Sequence, residues 1–203
     1  MQVYNTVIFD LGAVLIDWHP DYLYKKLFST DKERIWFYEH ICTSDWNEEQ
    51  DAGRPLADAT EILVAQHPSQ ESMIRAYYGR WEEMLNGPIE GTVEILRELK
   101  AKDQHKLFAL TNWSAETFPI ALGKYDFLHW FHGRVVSGEE KTRKPFIDIY
   151  MTLLSRYKIN PQEAVFVDDN VRNLIPAEEL GIKTIHFTSP ESFRNELVSL
   201  GVL

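Results

Sequence analysis

The chain has 203 residues, enough to bury a sizeable core as one domain with a large insertion or as one domain plus a small one. Its 31 acidic and 21 basic residues give a formal net charge of -10 with no basic run, which argues against nucleic acid and anionic membrane surfaces as partners. No apolar run approaches the roughly 18 residues of a membrane span. Cys42 is the only cysteine, which excludes an internal disulfide and a cysteine metal cluster. Because the amino terminus carries no signal-like segment, we expect a cytoplasmic protein.

The chain opens with a short apolar run at residues 3–9, whose β-branched and aromatic side chains predict a buried strand. Asp10 follows this run directly. Gly12, two residues later, predicts a tight turn at which a ligand or cation can approach the backbone closely. Ligands of parallel α/β sheets bind outside the carboxyl ends of the strands, so Asp10 is a candidate site residue. An acid that merely ends a strand and caps a turn explains Asp10 equally well when it is taken alone.

Residues 18–87 predict helices and no strand. The predicted helices start at Pro20, at the capping box of Thr30 and Glu33, at Ser44, at Pro55 and at Ser69, and the last of them continues to Leu85. An all-helical block inserted after the first strand suggests a lid over the strand ends.

From Pro88 onward, strands alternate with helices. The predicted strands cover 107–111, 134–137, 164–168 and 183–187, and the predicted helices cover 92–101, 114–123, 146–157, 172–180 and 190–199. Such an order requires crossover connections, and continuous apolar runs are typical of strands that are buried on both faces. We therefore expect an α/β fold: a Rossmann-like parallel sheet flanked by helices, formed by residues 1–17 and 88–203, with an inserted all-helical cap domain at 18–87.

Three further segments carry polar side chains where a predicted strand ends or a predicted helix begins. Thr111 and Asn112 can donate to a phosphate or carboxylate oxygen, although capping the next helix is the commoner role for such residues. Lys144 precedes a helix that starts with proline, and a lone lysine is usually a solvated surface charge. Asp168 and Asp169 end a buried strand, where adjacent acids are costly unless they are compensated.

Three carboxylates, those of Asp10, Asp168 and Asp169, would meet at one crevice of such a sheet. Like charges this close must be neutralised, and a ligand set of oxygen atoms alone favours Mg²⁺ over zinc. Lys144 would balance the remaining charge. The alternative is that these acids lie on separate solvated turns.

Four motifs in this order resemble those of the haloacid dehalogenase superfamily of aspartate-nucleophile hydrolases. They are residues 9–15 (FDLGAVL), Thr111-Asn112, Lys144-Pro145 and residues 167–170 (VDDN). The helical block is similar to the smaller, all-helical cap of that family. Within the superfamily, the chain looks closest to the branch that holds sugar-phosphate phosphatases and the phosphatase domain of soluble epoxide hydrolases.

The resemblance implies a phosphatase that acts on a small phosphorylated metabolite, for example a sugar phosphate, through an aspartyl-phosphate intermediate. The resemblance implies that Asp10 is the nucleophile and that Asp10, the Gly12 carbonyl and Asp169 bind magnesium. Asp168 would be a further ligand or a neighbour of the ligands. Thr111 and Asn112 would bind the phosphoryl group, and Lys144 would screen its charge. Neither the physiological substrate nor the oligomeric state follows from the sequence.

Gly12 departs from the family pattern. Phosphatases of this family usually carry there a second aspartate, which protonates the leaving oxygen. Asp17 and His19 are the nearest residues that could replace it, although His19 before Pro20 also suits a plain helix entry.

Two other functions stay open. A 2-haloacid dehalogenase uses the same aspartate against carbon, needs no metal and also lacks the second aspartate, but it has no use for the acids Asp168 and Asp169. A weakly active phosphate-binding interaction protein would bind phosphate and magnesium with negligible turnover.

Overall fold

The computed structural model describes residues 3–203. In chain order its elements are β1 (Thr6–Phe9), β2 (Ile16–Trp18), α1 (Asp21–Tyr24), α2 (Asp31–His40), α3 (Ser44–Asp51), α4 (Leu56–Gln66), α5 (Glu71–Gly79), β3 (Leu85–Pro88), α6 (Glu90–Lys102), β4 (Lys106–Thr111), α7 (Phe118–Lys124), β5 (Gly133–Val136), α8 (Ser137–Glu140), α9 (Ile147–Tyr157), β6 (Ala164–Asp168), α10 (Val171–Glu179), β7 (Lys183–His186) and α11 (Pro190–Ser199). Short 3-10 helices cover Pro68–Gln70, Trp81–Met84, Asp126–His129 and Pro161–Glu163.

The main sheet has five parallel strands in the order β5-β4-β1-β6-β7. Phe9 at the end of β1 lies in register with Ala109 of β4 and Val167 of β6. The residues that follow these three strands therefore emerge at the same edge of the sheet. The predicted Rossmann-like α/β fold is confirmed, although β1 begins at Thr6 and not at residue 3.

Alternate side chains of the central strands point to opposite faces of the sheet and enter two apolar clusters. On one face, Ile8 and Phe166 pack with side chains of α9 and α10, such as Ile149. On the other face, Val7 and Phe9 belong to a larger cluster, which continues into the segment between β2 and β3. Because both faces are covered, the central strands can be apolar throughout.

We call residues 18–87 the insert. The prediction that this block contains no strand is wrong, because β2 and β3 pair as an antiparallel ribbon in which Asp17 lies opposite Gly87. The predicted fifth helix is wrong at both ends: Ser69 lies in a 3-10 helix, and α5 ends at Gly79. The segment that enters the insert (β2) pairs with the segment that leaves it (β3), and this pairing satisfies backbone N–H and C=O groups that a longer helix would otherwise satisfy. The pairing outweighs the weak local preference of these residues for a helix.

Ion pairs tie the insert to the loops at the carboxyl edge of the sheet. Glu48 of α3 lies 2.9 Å from the Arg143 guanidinium and 2.8 Å from that of Arg172. The backbone N–H of Leu56 donates to the Glu116 carboxylate at 2.8 Å. The amino end of α4 and the whole of α3 are thereby held near the strand ends. Within residues 3–203, no helix has the length and apolar character needed to cross a membrane.

Candidate active site

The sheet register brings three predicted acids together at the carboxyl edge. Asp10 follows β1, whereas Asp168 ends β6 and Asp169 follows it. One carboxylate oxygen from each of the three lies within 4.8 Å of the others. The alternative of separate solvated turns therefore does not hold for these acids.

Lys144 lies among the acids and is not a surface lysine. Its side chain is 0% exposed, and its ammonium nitrogen lies 2.9 Å from Asp10 Oδ1 and 2.6 Å from Asp168 Oδ2. It also donates to the Leu110 carbonyl at 3.0 Å. Burial by itself lowers the pKa of the Lys144 ammonium, but the charges of Asp10 and Asp168 outweigh this effect, so the pKa lies above its usual value. Lys144 is therefore a fixed positive charge beside Asp10.

Asn112 holds the backbone of Lys144. Its side-chain nitrogen donates to the Lys144 carbonyl at 2.9 Å, and its side-chain oxygen accepts from the Lys144 N–H at 2.8 Å. This pair of hydrogen bonds fixes where the lysine side chain starts. Asn112 also lines the cavity described below.

The two adjacent aspartates differ in what surrounds them. Asp168 is fully buried, and its oxygens accept from Lys144, from the Asn170 N–H at 2.8 Å and from the Asn173 amide at 3.0 and 3.1 Å. Asp169 is exposed. Asp168 thus has its oxygens filled by protein donors, whereas Asp169 can offer an oxygen to a ligand.

Asp10 is 7% exposed and held at one oxygen. Its Oδ1 accepts from the Leu11 N–H at 2.7 Å as well as from Lys144. Burial raises the pKa of the Asp10 carboxyl to about 7, and Asp168 and Asp169 add to this effect against the opposing effect of Lys144. Three carboxylates against one ammonium leave negative charge that a cation would neutralise. All the donor atoms are oxygens, so the residues fit Mg²⁺.

Thr111 offers an unsatisfied donor at the same edge. The residue is 1% exposed, and its hydroxyl has no hydrogen-bond partner in the part of the chain that the structure describes. A buried polar group without a partner costs about 1–3 kcal/mol. A ligand oxygen would relieve this cost, which suits the phosphoryl-binding role expected for Thr111.

The turn after Asp10 differs from the prediction. Ala13, and not Gly12, takes the left-handed conformation with φ of 55°. The turn is closed by hydrogen bonds from the Ala13 N–H to the Ile16 carbonyl at 2.8 Å and from the Ile16 N–H to the Leu11 carbonyl at 2.9 Å. A Cβ atom built on Gly12 would meet nothing within 4 Å. Gly12 is therefore not required for the turn, and there is room for a side chain.

A cavity of about 70 Å³ lies between the insert and the core. The core contributes Gly12, Asn112, Trp113, Ser114 and Thr117 to its lining, and the insert contributes Trp18, Asn47, Asp51, Tyr78 and Trp81. The indole N–H groups of Trp18 and Trp113 have no hydrogen-bond partner among residues 3–203. The wall is thus largely aromatic, with a few polar groups.

Asp51, at the end of α3, is an acid that sequence reasoning missed. It is the acid among the residues that line this cavity, and its Oδ2 accepts from the Asn47 side-chain amide at 3.1 Å. The separation of Asn47 and Asp51 by four residues puts both on one face of a helix. That spacing was available as a signal, but it does not tell which face turns toward the core.

The two acid replacements suggested by the sequence are engaged elsewhere. The Asp17 carboxylate accepts from the Tyr22 hydroxyl at 2.7 Å and from the Asn86 amide at 2.8 Å. His19 is exposed, and its Nδ1 accepts from the Asp21 N–H at 3.0 Å where α1 begins. Neither residue is part of the cavity lining. The helix-entry interpretation of His19 agrees with this contact.

Known proteins resemble the chain along most of its length. The family model described as haloacid dehalogenase-like hydrolase matches residues 7–187. A sesquiterpene phosphatase of Aspergillus oryzae is 26% identical over 185 residues, which cover 91% of this chain and 90% of that protein. A drimenol cyclase of Aspergillus calidoustus is 24% identical over 97% of this chain, which spans only 36% of the length of the cyclase.

Solved structures share the fold at lower identity. An enzyme of the HAD family from Bacteroides thetaiotaomicron superposes with a TM-score of 0.73 at 20% identity, over 96% of this chain and 98% of that one. Its complex with magnesium and inorganic phosphate gives 0.68 at 21% identity, over 92% and 95%. L-2-haloacid dehalogenase from Xanthobacter autotrophicus, with chloropropionic acid covalently bound, gives 0.64 at 17% identity, over 99% and 85%. With the family model covering most of its length, the chain belongs to the haloacid dehalogenase-like hydrolases.

Proposed function

We propose that this hydrolase is a magnesium-dependent phosphatase that acts on a small phosphorylated metabolite through an aspartyl-phosphate on Asp10. The observation that carries the proposal is the cluster of Asp10, Asp168 and Asp169 around the buried Lys144. Displacement of a halide from carbon has no need of such a cluster, whereas attack on a phosphate dianion must overcome charge repulsion. The sesquiterpene phosphatase relative, which covers nearly the same length, also supports a phosphatase.

In this proposal the residues of the core bind, attack and balance charge. Asp10 attacks phosphorus in line with the leaving oxygen, the Thr111 hydroxyl holds a phosphoryl oxygen, and the Lys144 ammonium screens the negative charge of the nucleophile and the phosphoryl group. Asp10, the Gly12 carbonyl and Asp169 would hold Mg²⁺. When it is bound, the ion supplies positive charge that offsets the repulsion between the carboxylate and the phosphate.

Asn112 and Asp168 act through Lys144. Asn112 fixes the lysine backbone by two hydrogen bonds, and Asp168 fixes the ammonium at 2.6 Å. We therefore assign a positioning role to both residues, in place of the direct phosphoryl contact of Asn112 and the metal contact of Asp168 that the resemblance suggests. The insert, residues 18–87, serves as the cap that encloses the leaving group.

The test compares wild type with Asp10→Asn, using p-nitrophenyl phosphate with magnesium and with excess EDTA. We expect Asp10→Asn to lose activity by at least about 10³-fold, because an amide is a poor nucleophile of nearly the same size. Chelation should abolish wild-type turnover. Asp148→Asn, which removes an exposed acid from α9, should match wild type.

Two outcomes would contradict the proposal. Turnover by Asp10→Asn would mean that another residue attacks. Turnover that survives full chelation, together with halide release from 2-chloropropionate, would instead support a dehalogenase.

A further inference from the structure

We propose that Asp51 of the insert is the proton donor to the leaving oxygen, in place of the acid that is missing at Gly12. This inference rests on the proposed phosphatase function and adds a catalytic residue to it. None of the family motifs contains Asp51.

The first argument is the position of Asp51. A single cavity is lined by Asp51 from above and by Gly12 and Asn112 from the core below. Ser114, from the segment that follows β4, also lines this cavity. Gly12 holds the position at which phosphatases of the family carry their acid, and it lines the same cavity as Asp51. We therefore place the leaving group of the ester in this cavity, on the side of Asp51.

The second argument is a chain of hydrogen bonds that orients the carboxyl. The Gln50 amide donates to the Tyr78 hydroxyl at 3.1 Å, and this hydroxyl donates to Asn47 Oδ1 at 3.0 Å. Asn47 must then present its NH₂ group to Asp51, and it donates to Oδ2 at 3.1 Å. Because Oδ2 accepts from Asn47, we assign the transferable proton to Oδ1. Gln50 is fully buried, and its amide also donates to the Trp46 carbonyl at 2.6 Å. The first side chain of this series of hydrogen bonds is therefore fixed in place.

The third argument is the charge around Asp51. Burial raises the pKa of the Asp51 carboxyl to about 7, and the nearby Glu48 adds to this effect. Arg143, the Ser114 N–H and Lys144 act in the opposite direction. Tyr77 and Tyr78 also face it, and both stay neutral because burial raises the pKa of their phenols. With this pKa about half of the molecules carry a proton on Asp51 at pH 7, and a pKa near the working pH is what an effective general acid requires.

The proposed reaction balances in two steps. First, an Asp10 oxygen forms a bond to phosphorus, the bond from phosphorus to the ester oxygen breaks, and the Asp51 proton goes to that oxygen to give the free alcohol. Second, Asp51 takes a proton from water as the water oxygen bonds to phosphorus. The bond to Asp10 then breaks, phosphate leaves, and Asp51 is protonated again.

The experiment uses two esters of nearly equal size and different leaving groups, p-nitrophenyl phosphate and p-nitrobenzyl phosphate. A benzyl alcohol is far more basic than a nitrophenol, so only the benzyl ester needs a proton donor. We expect Asp51→Asn to lower kcat/KM for the benzyl ester by about 10²–10⁴-fold and to change that for the phenyl ester little. Because kcat/KM reports only the steps through formation of the aspartyl-phosphate, loss of the base in the second step does not obscure the comparison.

Two further variants sharpen the test. Asp58→Asn removes an exposed acid from α4, the next helix of the insert, and should leave both esters unchanged. Gly12→Asp in the Asp51→Asn background has room for its side chain and should restore part of the benzyl activity.

A pH profile of wild type provides a readout that needs no variant. At neutral pH and above both esters are dianions, so the ratio of kcat/KM for the benzyl ester to that for the phenyl ester cancels the titration of Asp10 and is not changed by the phosphate group. We expect this ratio to fall as the pH rises above about 7, where Asp51 loses its proton. A ratio that stays constant as the pH rises from neutral to alkaline would overturn the inference.

The outcomes separate the two proposals. Equal loss for both esters in Asp51→Asn would mean that Asp51 only shapes the cavity, and the phosphatase function would stand without it. If wild type with magnesium hydrolyses neither ester, both proposals fail. Turnover by Asp10→Asn overturns the aspartyl-phosphate, whatever Asp51 does.

Discussion

Lys144 is the residue on which the charge balance of the site depends. Its ammonium lies within 3.0 Å of oxygens from Asp10, Asp168 and the Leu110 carbonyl. A buried ion pair is weak evidence for stability, but removing one partner leaves the other charges uncompensated. We therefore expect Lys144 to contribute both to folding stability and to the proposed chemistry, and the two effects can be measured separately.

We expect Lys144→Ala to lower the free energy of unfolding by about 3–5 kcal/mol, because two buried carboxylates lose their counter-charge. Urea denaturation measures this loss. In the fraction that stays folded, kcat/KM for p-nitrophenyl phosphate should fall at least about 10²-fold, because the phosphoryl oxygens lose a fixed cation. Lys100→Ala, on the exposed face of α6, is the control. An unchanged urea curve would contradict the assigned burial.

At the scale of elements, the strands that bear the site could be predicted from the sequence. The run at 164–167 is apolar without interruption because β6 is covered on both faces, and its predicted bounds match Ala164–Asp168. From the positions of these acids directly after predicted parallel strands, the sequence predicts that Asp10 lies near Asp168 and Asp169. Parallel strands have their carboxyl ends at one edge, so no knowledge of side-chain contacts was needed.

The insert was harder to predict. The ribbon of β2 and β3 joins segments about 70 residues apart, and three- and four-residue strands carry too little periodicity to be recognised. Asp51 was missed for a related reason. Its proposed role depends on how α3 packs against the core, and the contacts of Glu48 with Arg143 and Arg172 are part of that packing. Such tertiary contacts are not visible in local spacing.

Glu48 offers a test of how α3 is attached. Its negative charge raises the pKa of Asp51, whereas Arg143 lowers it. Removing the charge by Glu48→Gln should therefore lower the pKa of Asp51, and the alkaline fall in the benzyl-to-phenyl ratio should move to lower pH. KM for both esters should also rise, because α3 loses its two ion pairs to the core.

Glu49→Gln is the matched control for Glu48→Gln, because Glu49 is the exposed neighbour on the same helix. It should leave the pH profile and KM unchanged. A profile that does not move in Glu48→Gln, or that moves equally in both variants, would mean that the titrating group is not Asp51. An unchanged KM would show that other contacts position α3.

For the molecule as a whole, the formal net charge of -10 works against its proposed substrate. A phosphate dianion is repelled at long range, so attraction must come from the few cations at the carboxyl edge of the sheet. The same edge carries the three clustered carboxylates, whose mutual repulsion opposes folding. A bound cation would relieve both effects, which links the proposed metal site to the stability of the entire chain.

Magnesium should therefore raise the thermal midpoint of the wild-type protein. A ligand at about 100 times its Kd stabilises the folded state by about 2.7 kcal/mol, which for a chain of this size corresponds to a shift of about 5–10 °C. In Asp169→Asn the shift should be much smaller, because this variant removes an exposed ligand while Asp168 still holds Lys144. Asp126→Asn, which removes an exposed acid far along the chain from the cluster, should keep the full shift. Scanning calorimetry with and without magnesium measures all three proteins, and equal shifts in wild type and Asp169→Asn would place the ion elsewhere.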